Sequence, residues 1–134
     1  MSDTSPSVLV VDDHPDAADS LAHLLRLYGF TVRVAYGPEA ALAAAPADAV
    51  ILELRLPRID GWEVVRRIRS RPAARHPFFV AVTSCGRDED RRQSADAGIH
   101  LHLLKPVKCV ELIELLERFG RLIDPSFNLT QRPV

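Results

Sequence analysis

The chain has 134 residues, which sets a single domain of ordinary size, since domains run to roughly 100–200 residues. Apolar residues make up 47% and charged residues 26%, a globular composition that excludes a disordered chain and supplies a core without metal or disulfide staples. The formal net charge of −1 excludes bulk electrostatic binding to nucleic acid, so no direct DNA binding is expected. No apolar run reaches the roughly 18 residues of a membrane span, and the polar start lacks the basic segment of a secretory signal. Cys85 and Cys109 make neither a disulfide framework nor a metal motif, which fits a reducing, cytoplasmic setting. Of the 17 basic residues 15 are Arg, so the two lysines stand out.

The elements follow in chain order. Residues 1–6 are expected to be disordered. Ser7–Val11 reads as a buried strand. Pro15 sits at a first helical position behind Asp13 or His14 as cap, Ala18, Leu21, Ala22 and Leu25 recur at helical spacing, and Gly29 stops the run. Thr31–Tyr36 is a second strand, and Gly37-Pro38-Glu39 opens a short Ala-rich helix ending before Pro46. Ala49–Leu54 is a third strand, followed by a turn at Asp60-Gly61 and a helix over Trp62–Ser70. Phe78–Thr83 is a fourth strand. Residues 87–97 form a helix with only Ala95 and Ala97 as core contacts, so it is expected to be loosely anchored. Leu101–Leu104 is a fifth strand, and a last helix runs from about Lys108 to Leu122. Its charged arc holds Glu111, Glu114, Arg118 and Arg121; its apolar half, from Leu112 to Phe119, is wider than core packing requires. Residues 124–134 read as a tail.

Strand and helix thus alternate five times, which predicts an α/β fold: a doubly wound, five-stranded parallel sheet of (βα)5 type covering residues 7–123. The near-continuous apolar strands agree, because parallel strands are buried on both faces. In such sheets the site lies at the carboxyl ends of the strands. There the sequence places Asp12 and Asp13, Glu53, Thr83-Ser84 and Lys105-Pro106. Converging carboxylates repel unless a cation joins them, and hard oxygen ligands suit Mg²⁺. Lys105 adds a positive charge and Thr83 a hydroxyl, which makes a pocket for a metal-bound phosphoryl group. Each residue alone has a plainer reading: Asp12 and Asp13 as helix caps, Glu53 as a strand-end residue, Thr83 as ordinary strand composition. The conjunction carries the inference. The Arg66–Arg75 stretch reads as a solvated helix face. No Gly-rich phosphate loop follows the first strand and no G-x-S-x-G elbow appears, against a flavin enzyme and a nucleophilic hydrolase.

The succession VLVVDDH, AVILELRLPRIDGWE, VAVTS and HLLKPV resembles the receiver domain of bacterial response regulators, the CheY-like, flavodoxin-like fold of strand order 2-1-3-4-5. The resemblance implies two-component (phosphorelay) signal transduction, with a histidine kinase donating a phosphoryl group to an aspartate in an Mg²⁺-dependent step. It implies metal ligation by Asp12, Asp13, the residue at position 53 and the Arg55 backbone carbonyl. It gives Thr83 and Lys105 as phosphoryl contacts, His102 in place of the switching aromatic, and a cis Lys105–Pro106 bond. Glu53 stands where the family has its acceptor Asp, and no neighbouring Asp offers another register. The extra methylene moves the carboxylate by about 1.5 Å. In-line transfer loses about 10²-fold for a misplacement of about 1 Å, so phosphorylation at Glu53 is expected to be absent or very slow. The expectation is a stand-alone, atypical, non-enzymatic receiver that is phosphorylation-independent or imitates the activated state through Glu53. It acts on a histidine kinase or other signalling protein through the fourth helix, fifth strand and fifth helix, as a monomer or weak homodimer. A receiver that still accepts a phosphoryl group is the alternative.

Overall fold

A computed structural model describes residues 6–73 and 75–127. The elements are β1 (Ser7–Val11), α1 (Pro15–Leu27), β2 (Thr31–Ala35), α2 (Pro38–Ala43), β3 (Ala49–Leu52), α3 (Gly61–Arg69), β4 (Phe78–Thr83), α4 (Asp88–Ala97), β5 (Leu101–Leu104) and α5 (Cys109–Ile123). All strand pairs are parallel, and the order is β2-β1-β3-β4-β5, as the pattern predicts.

The period of two along each strand splits the core into two layers. Val8 and Val10 of β1, Ile51 of β3 and Val80 of β4 face Ala18, Ala22 and Leu25 of α1 and Leu112 and Leu116 of α5. Their neighbours Leu9, Val50, Leu52 and Phe79 face Ala41 of α2 and Val64 and Val65 of α3. Strands buried on both faces are why VLVV and AVIL carry no alternation.

The strand ends differ from the sequence pattern in one consequential place. β3 stops at Leu52, two residues before its apolar run does. The Glu53 N–H still reaches the Val11 carbonyl of β1, at 3.0 Å. The Leu54 N–H instead turns back to the Glu53 carboxylate at 2.7 Å, and the Leu54 carbonyl accepts from Gly61 N–H at 2.9 Å. Leu54 is fully buried, so its apolar character reflects packing under α3 and not strand pairing.

Asp60 caps α3, its Oδ1 accepting from Glu63 N–H at 2.9 Å. His14 occupies the cap position of α1 without a side-chain cap bond. Asp12 Oδ1 accepts from His14 N–H at 3.0 Å. In α4 the prediction errs: Ala95 is exposed, and the buried residues are Ser94 and Ala97. Ser94 takes the inward position because its hydroxyl has polar partners there, described below.

Pro6, assigned above to a disordered terminus, is buried, and its carbonyl accepts from Thr31 N–H at 3.1 Å at the start of β2. Phe127, assigned to the tail, is also buried, 5.1 Å ring to ring from Phe30. Residues 1–5 and 128–134, the remainder of those two assignments, lie outside the described residues. In α5, Leu112, Ile113 and Leu116 are buried while Val110 and Leu122 are exposed. Among the described residues, no helix is long and apolar enough to cross a membrane.

Candidate functional site

The strand register assembles the site. Val11 pairs with Leu52, so the next residues, Asp12 and Glu53, stand side by side at the top of the central strands. Thr83 ends β4 beside them, and the Thr83 carbonyl accepts from Lys105 N–H at 2.9 Å, bringing the residue after β5 alongside. The Lys105–Pro106 peptide is cis.

Glu53 is the centre. Its side chain is 6% exposed. Lys105 Nζ donates to Oε1 at 2.8 Å and reaches Asp12 Oδ2 at 3.3 Å. Oε2 accepts from Thr83 Oγ1 at 2.5 Å and from the N–H groups of Leu54 and Arg55 at 2.7 and 3.0 Å. Both oxygens therefore have donors inside the protein. Burial pushes the Glu53 carboxyl up, but the hydrogen bonds from Lys105, Thr83 and Arg55 N–H outweigh it and hold it below its ordinary 4.5. Burial likewise pulls Lys105 down, and Glu53 and Asp12 more than offset this, so the ammonium titrates above its ordinary 10.5.

Asp12, Asp13 and His14 form an acidic cluster whose ligand atoms lie within 4.8 Å of one another. The expected trio placed Glu53 with the two aspartates. Glu53 is not a member of this cluster: its four donors draw the carboxylate toward Thr83 and Lys105, and the His14 ring completes the group instead. Asp13 Oδ1 is buried without a hydrogen-bond partner. His14 Nδ1 is 3.4 Å away, outside the 2.7–3.2 Å range of a well-formed N–H···O bond. An orphaned buried carboxylate oxygen is costly and fits a cation site, so the residues present suit Mg²⁺. A protonated His14 would compete with that cation.

Gly61 sets the floor of the site. A Cβ there would lie 2.6 Å from the Glu53 carbonyl oxygen and 2.8 Å from Leu54 Cα, both main-chain atoms that cannot swing aside. Gly61→Ala is therefore expected to cost about 2 kcal/mol and displace Glu53. A shift in denaturant midpoint at unchanged slope would measure it, and an unchanged midpoint would refute it.

A second network begins at Thr83. Its Oγ1 also accepts from Cys85 N–H at 3.2 Å. The Cys85 carbonyl contacts His102 Nε2 at 2.6 Å, and His102 Nδ1 contacts Ser94 Oγ at 2.8 Å. Trp62 Nε1 donates to the same Ser94 Oγ at 2.9 Å. Donor rules order the chain: a carbonyl only accepts, so His102 Nε2 carries the proton, and indole N–H only donates, so Ser94 accepts from Trp62 and donates to His102. The half-buried His102 thus ties β5 to α4, to α3 and to the loop after β4. The sequence pointed to His102 and Thr83; it did not point to Ser94, Trp62 or Cys85. The signal available was the spacing of Ser94 and Ala97, which puts a serine on the inward arc of an otherwise polar helix.

The Arg66–Arg75 stretch has internal partners. Arg67 binds Glu63 at 3.0 Å, Arg69 and Arg71 donate to the Ala97 and Leu42 carbonyls at 3.3 and 2.6 Å, and Arg75 lies 3.7 Å from Asp48.

Comparison with known proteins agrees with this geometry. The model of the response regulator receiver domain matches residues 8–117. The chain is 33% identical over 122 residues to an uncharacterized 14.6 kDa protein of Leptolyngbya boryana, covering 89% of this chain and 93% of that protein. It is 39% identical over 131 residues to the transcriptional regulatory protein PrrA of Mycobacterium tuberculosis, covering 92% of this chain but 55% of PrrA, about half that relative's length. Among solved structures it resembles the receiver domain of the sensor histidine kinase PA1611 of Pseudomonas aeruginosa, a structure with a magnesium ion coordinated in the active site cleft. That match has 29% identity and a TM-score of 0.76, over 86% of this chain and 97% of that one. The chemotaxis response regulator CheY4 of Vibrio cholerae matches with 25% identity and a TM-score of 0.78, over 86% and 98% of the two chains. Receiver domains are signalling modules that work with histidine kinases and other signalling proteins. The sheet order and a match running from the first strand into the last helix make this chain a member of the response regulator receiver domain family, of two-component signalling.

Proposed function

We propose that this receiver, the unit of residues 7–123, works without accepting a phosphoryl group, as a fixed-state signalling module that acts by protein contact. One observation carries the reading: Lys105 and Thr83, the groups that would receive phosphoryl oxygens, are already engaged by the Glu53 carboxylate, at 2.8 and 2.5 Å. Glu53 imitates a phosphorylated side chain only in part. It offers one charge and two oxygens, where phosphorylation brings about −1.5 to −2 charge and three acceptor oxygens. An internal ligand that never leaves biases a two-state equilibrium permanently, by its differential interaction with the two states. The resident Glu53 holds Thr83, and through it Cys85 and His102, in one arrangement. The output face in this reading is made by α4, β5 and α5, where Leu104, Val110 and Leu122 are 43%, 66% and 80% exposed. Its partner is a histidine kinase or other signalling protein.

The second reading, a receiver still phosphorylated in an Mg²⁺-dependent step, rests on the orphaned Asp13 Oδ1. Asp12 and Asp13 would hold Mg²⁺ with the Arg55 carbonyl, and the ion would neutralise charge on phosphoryl oxygens. Lys105 would then have to leave Glu53 to meet the incoming group.

Intact mass after incubation with a small acyl-phosphate donor and Mg²⁺ separates the two. No gain by the wild-type chain is expected, and one phosphoryl group on Glu53→Asp. A stoichiometric gain by the wild-type chain overturns the first reading.

A further inference from the structure

Along a strand such as β4 the N–H groups point to alternate sides. Phe78 N–H donates to the Asp48 carbonyl ahead of β3 at 2.9 Å, so Phe79 N–H turns toward β5. Its acceptor there is a side chain: His100 Nδ1, at 2.9 Å. His100 N–H donates in return to the Phe79 carbonyl, also at 2.9 Å. The two residues form a closed pair one step ahead of Val80 and Leu101, where the β4–β5 register begins.

A backbone N–H only donates, so Nδ1 is bare and the ring is neutral, with its proton on Nε2. Protonation places a proton on Nδ1 as well, and two donors then face each other. The two partners fare differently. Phe79 is 0% exposed, so its N–H has no water to turn to. His100 is exposed, so an imidazolium can swing outward.

The ring also ends an aromatic row. It stacks on Phe78 with centroids 4.9 Å apart, and Phe78 stacks on Phe119 of α5 at 4.8 Å. A ring that leaves for water removes one side of the stack that holds Phe119. From β4, and through Phe78 from α5, the groups facing the imidazole are these uncharged rings. From α3 comes the Arg69 guanidinium, which also donates to the Ala97 carbonyl at the end of α4, at 3.3 Å. Burial first, and Arg69 second, hold the imidazole below its ordinary 6.5.

We propose that His100 is a proton-operated latch: neutral, it closes the start of the β4–β5 pair and the aromatic row to α5; protonated, it opens both. The bond needs the neutral ring, so its contribution is complete above the ordinary 6.5 and is lost as pH falls through the lower folded value. α5 belongs to the output face proposed above, but the latch works whether or not residue 53 takes a phosphoryl group.

The test is NMR of the imidazole nitrogens and amide exchange of the whole chain, followed between about pH 8 and about pH 5. At the upper end His100 is expected as the Nε2–H tautomer. As pH falls, the Phe79 amide should lose about tenfold of its protection, and the Phe119 ring signals should move, both with the His100 midpoint. His100→Asn puts an amide oxygen near the place of Nδ1 and takes no proton. In that variant neither signal should follow that midpoint. His100→Phe keeps the stack but removes the acceptor, and should leave the Phe79 amide weakly protected across the whole range. An Nδ1–H tautomer, Phe79 protection unchanged while His100 titrates, the same acid transition in His100→Asn, or a well-protected Phe79 amide in His100→Phe would each overturn the proposal.

Discussion

Glu53→Ala is expected to destabilise the protein by about 2 kcal/mol, although it removes a buried charge. The variant leaves Lys105 with only the longer contact to Asp12, and it takes the acceptor from the Thr83 hydroxyl proton and from the Leu54 and Arg55 N–H groups, all now bonded to the carboxylate. Breaking one side of a buried pair costs about 3–5 kcal/mol. The figure here is lower because 35% of the Lys105 side chain remains in water and rehydrates. For a chain of this size that lowers the melting temperature by roughly 6 °C. The sign of the pH dependence follows from the lowered Glu53 carboxyl. Glu53 is ionised in the fold below the pH at which it would protonate in the unfolded chain, ordinarily 4.5. Its contribution is therefore complete above that value and is lost as pH falls through the lower folded value. The difference between wild type and Glu53→Ala should accordingly shrink below about pH 4.5. Equal melting temperatures at neutral pH, or a gap that widens in acid, would refute the account.

His102→Phe is expected to loosen α4 with about 2 kcal/mol of local destabilisation. A ring of similar size keeps the packing but removes both bonds of the imidazole. The Cys85 carbonyl loses a donor held at 2.6 Å, and the Ser94 hydroxyl, 1% exposed as a residue, loses its acceptor. Buried polar groups left unpaired cost about 1–3 kcal/mol each. The effect concentrates in α4 because that helix buries only Ser94 and Ala97 of its ten residues, so hydrophobic contact offers little to replace the lost bonds. Amide exchange across α4 should accelerate by about 30-fold, which is 2 kcal/mol expressed as an opening constant. Trp62 donates to Ser94 Oγ, so its fluorescence should change as well. Unchanged α4 exchange with a folded core would show that the chain from Thr83 to Trp62 does not anchor the helix.

Much of the fold was legible in the sequence because its signals are local. Apolar runs of four to six residues, Pro15 and Pro38 at first helical turns, and Gly29 at positive φ after α1 each follow from backbone sterics. Site residues were legible for a geometric reason: a parallel sheet delivers whatever follows each strand to one edge. Asp12, Glu53, Thr83 and Lys105 could be grouped before any distance was known.

Other features depended on three dimensions. The end of β3 was misplaced because Leu54 is apolar for the sake of packing under α3, and composition does not distinguish that from strand pairing. The inward serine of α4 was missed because Ser94 is stable there only with Trp62 and His102 beside it, residues 32 and 8 positions away. The separation of Glu53 from the aspartate cluster also required the structure. The sequence by itself determined that three carboxylates, a hydroxyl and an ammonium would converge at the carboxyl edge of a 2-1-3-4-5 sheet. Which carboxylate takes the ammonium, and which is left with a buried, unpaired oxygen, was decided by tertiary structure alone. That choice turns on hydrogen-bond distances of a few tenths of an ångström, set by backbone N–H groups and neighbouring strands far apart in the chain.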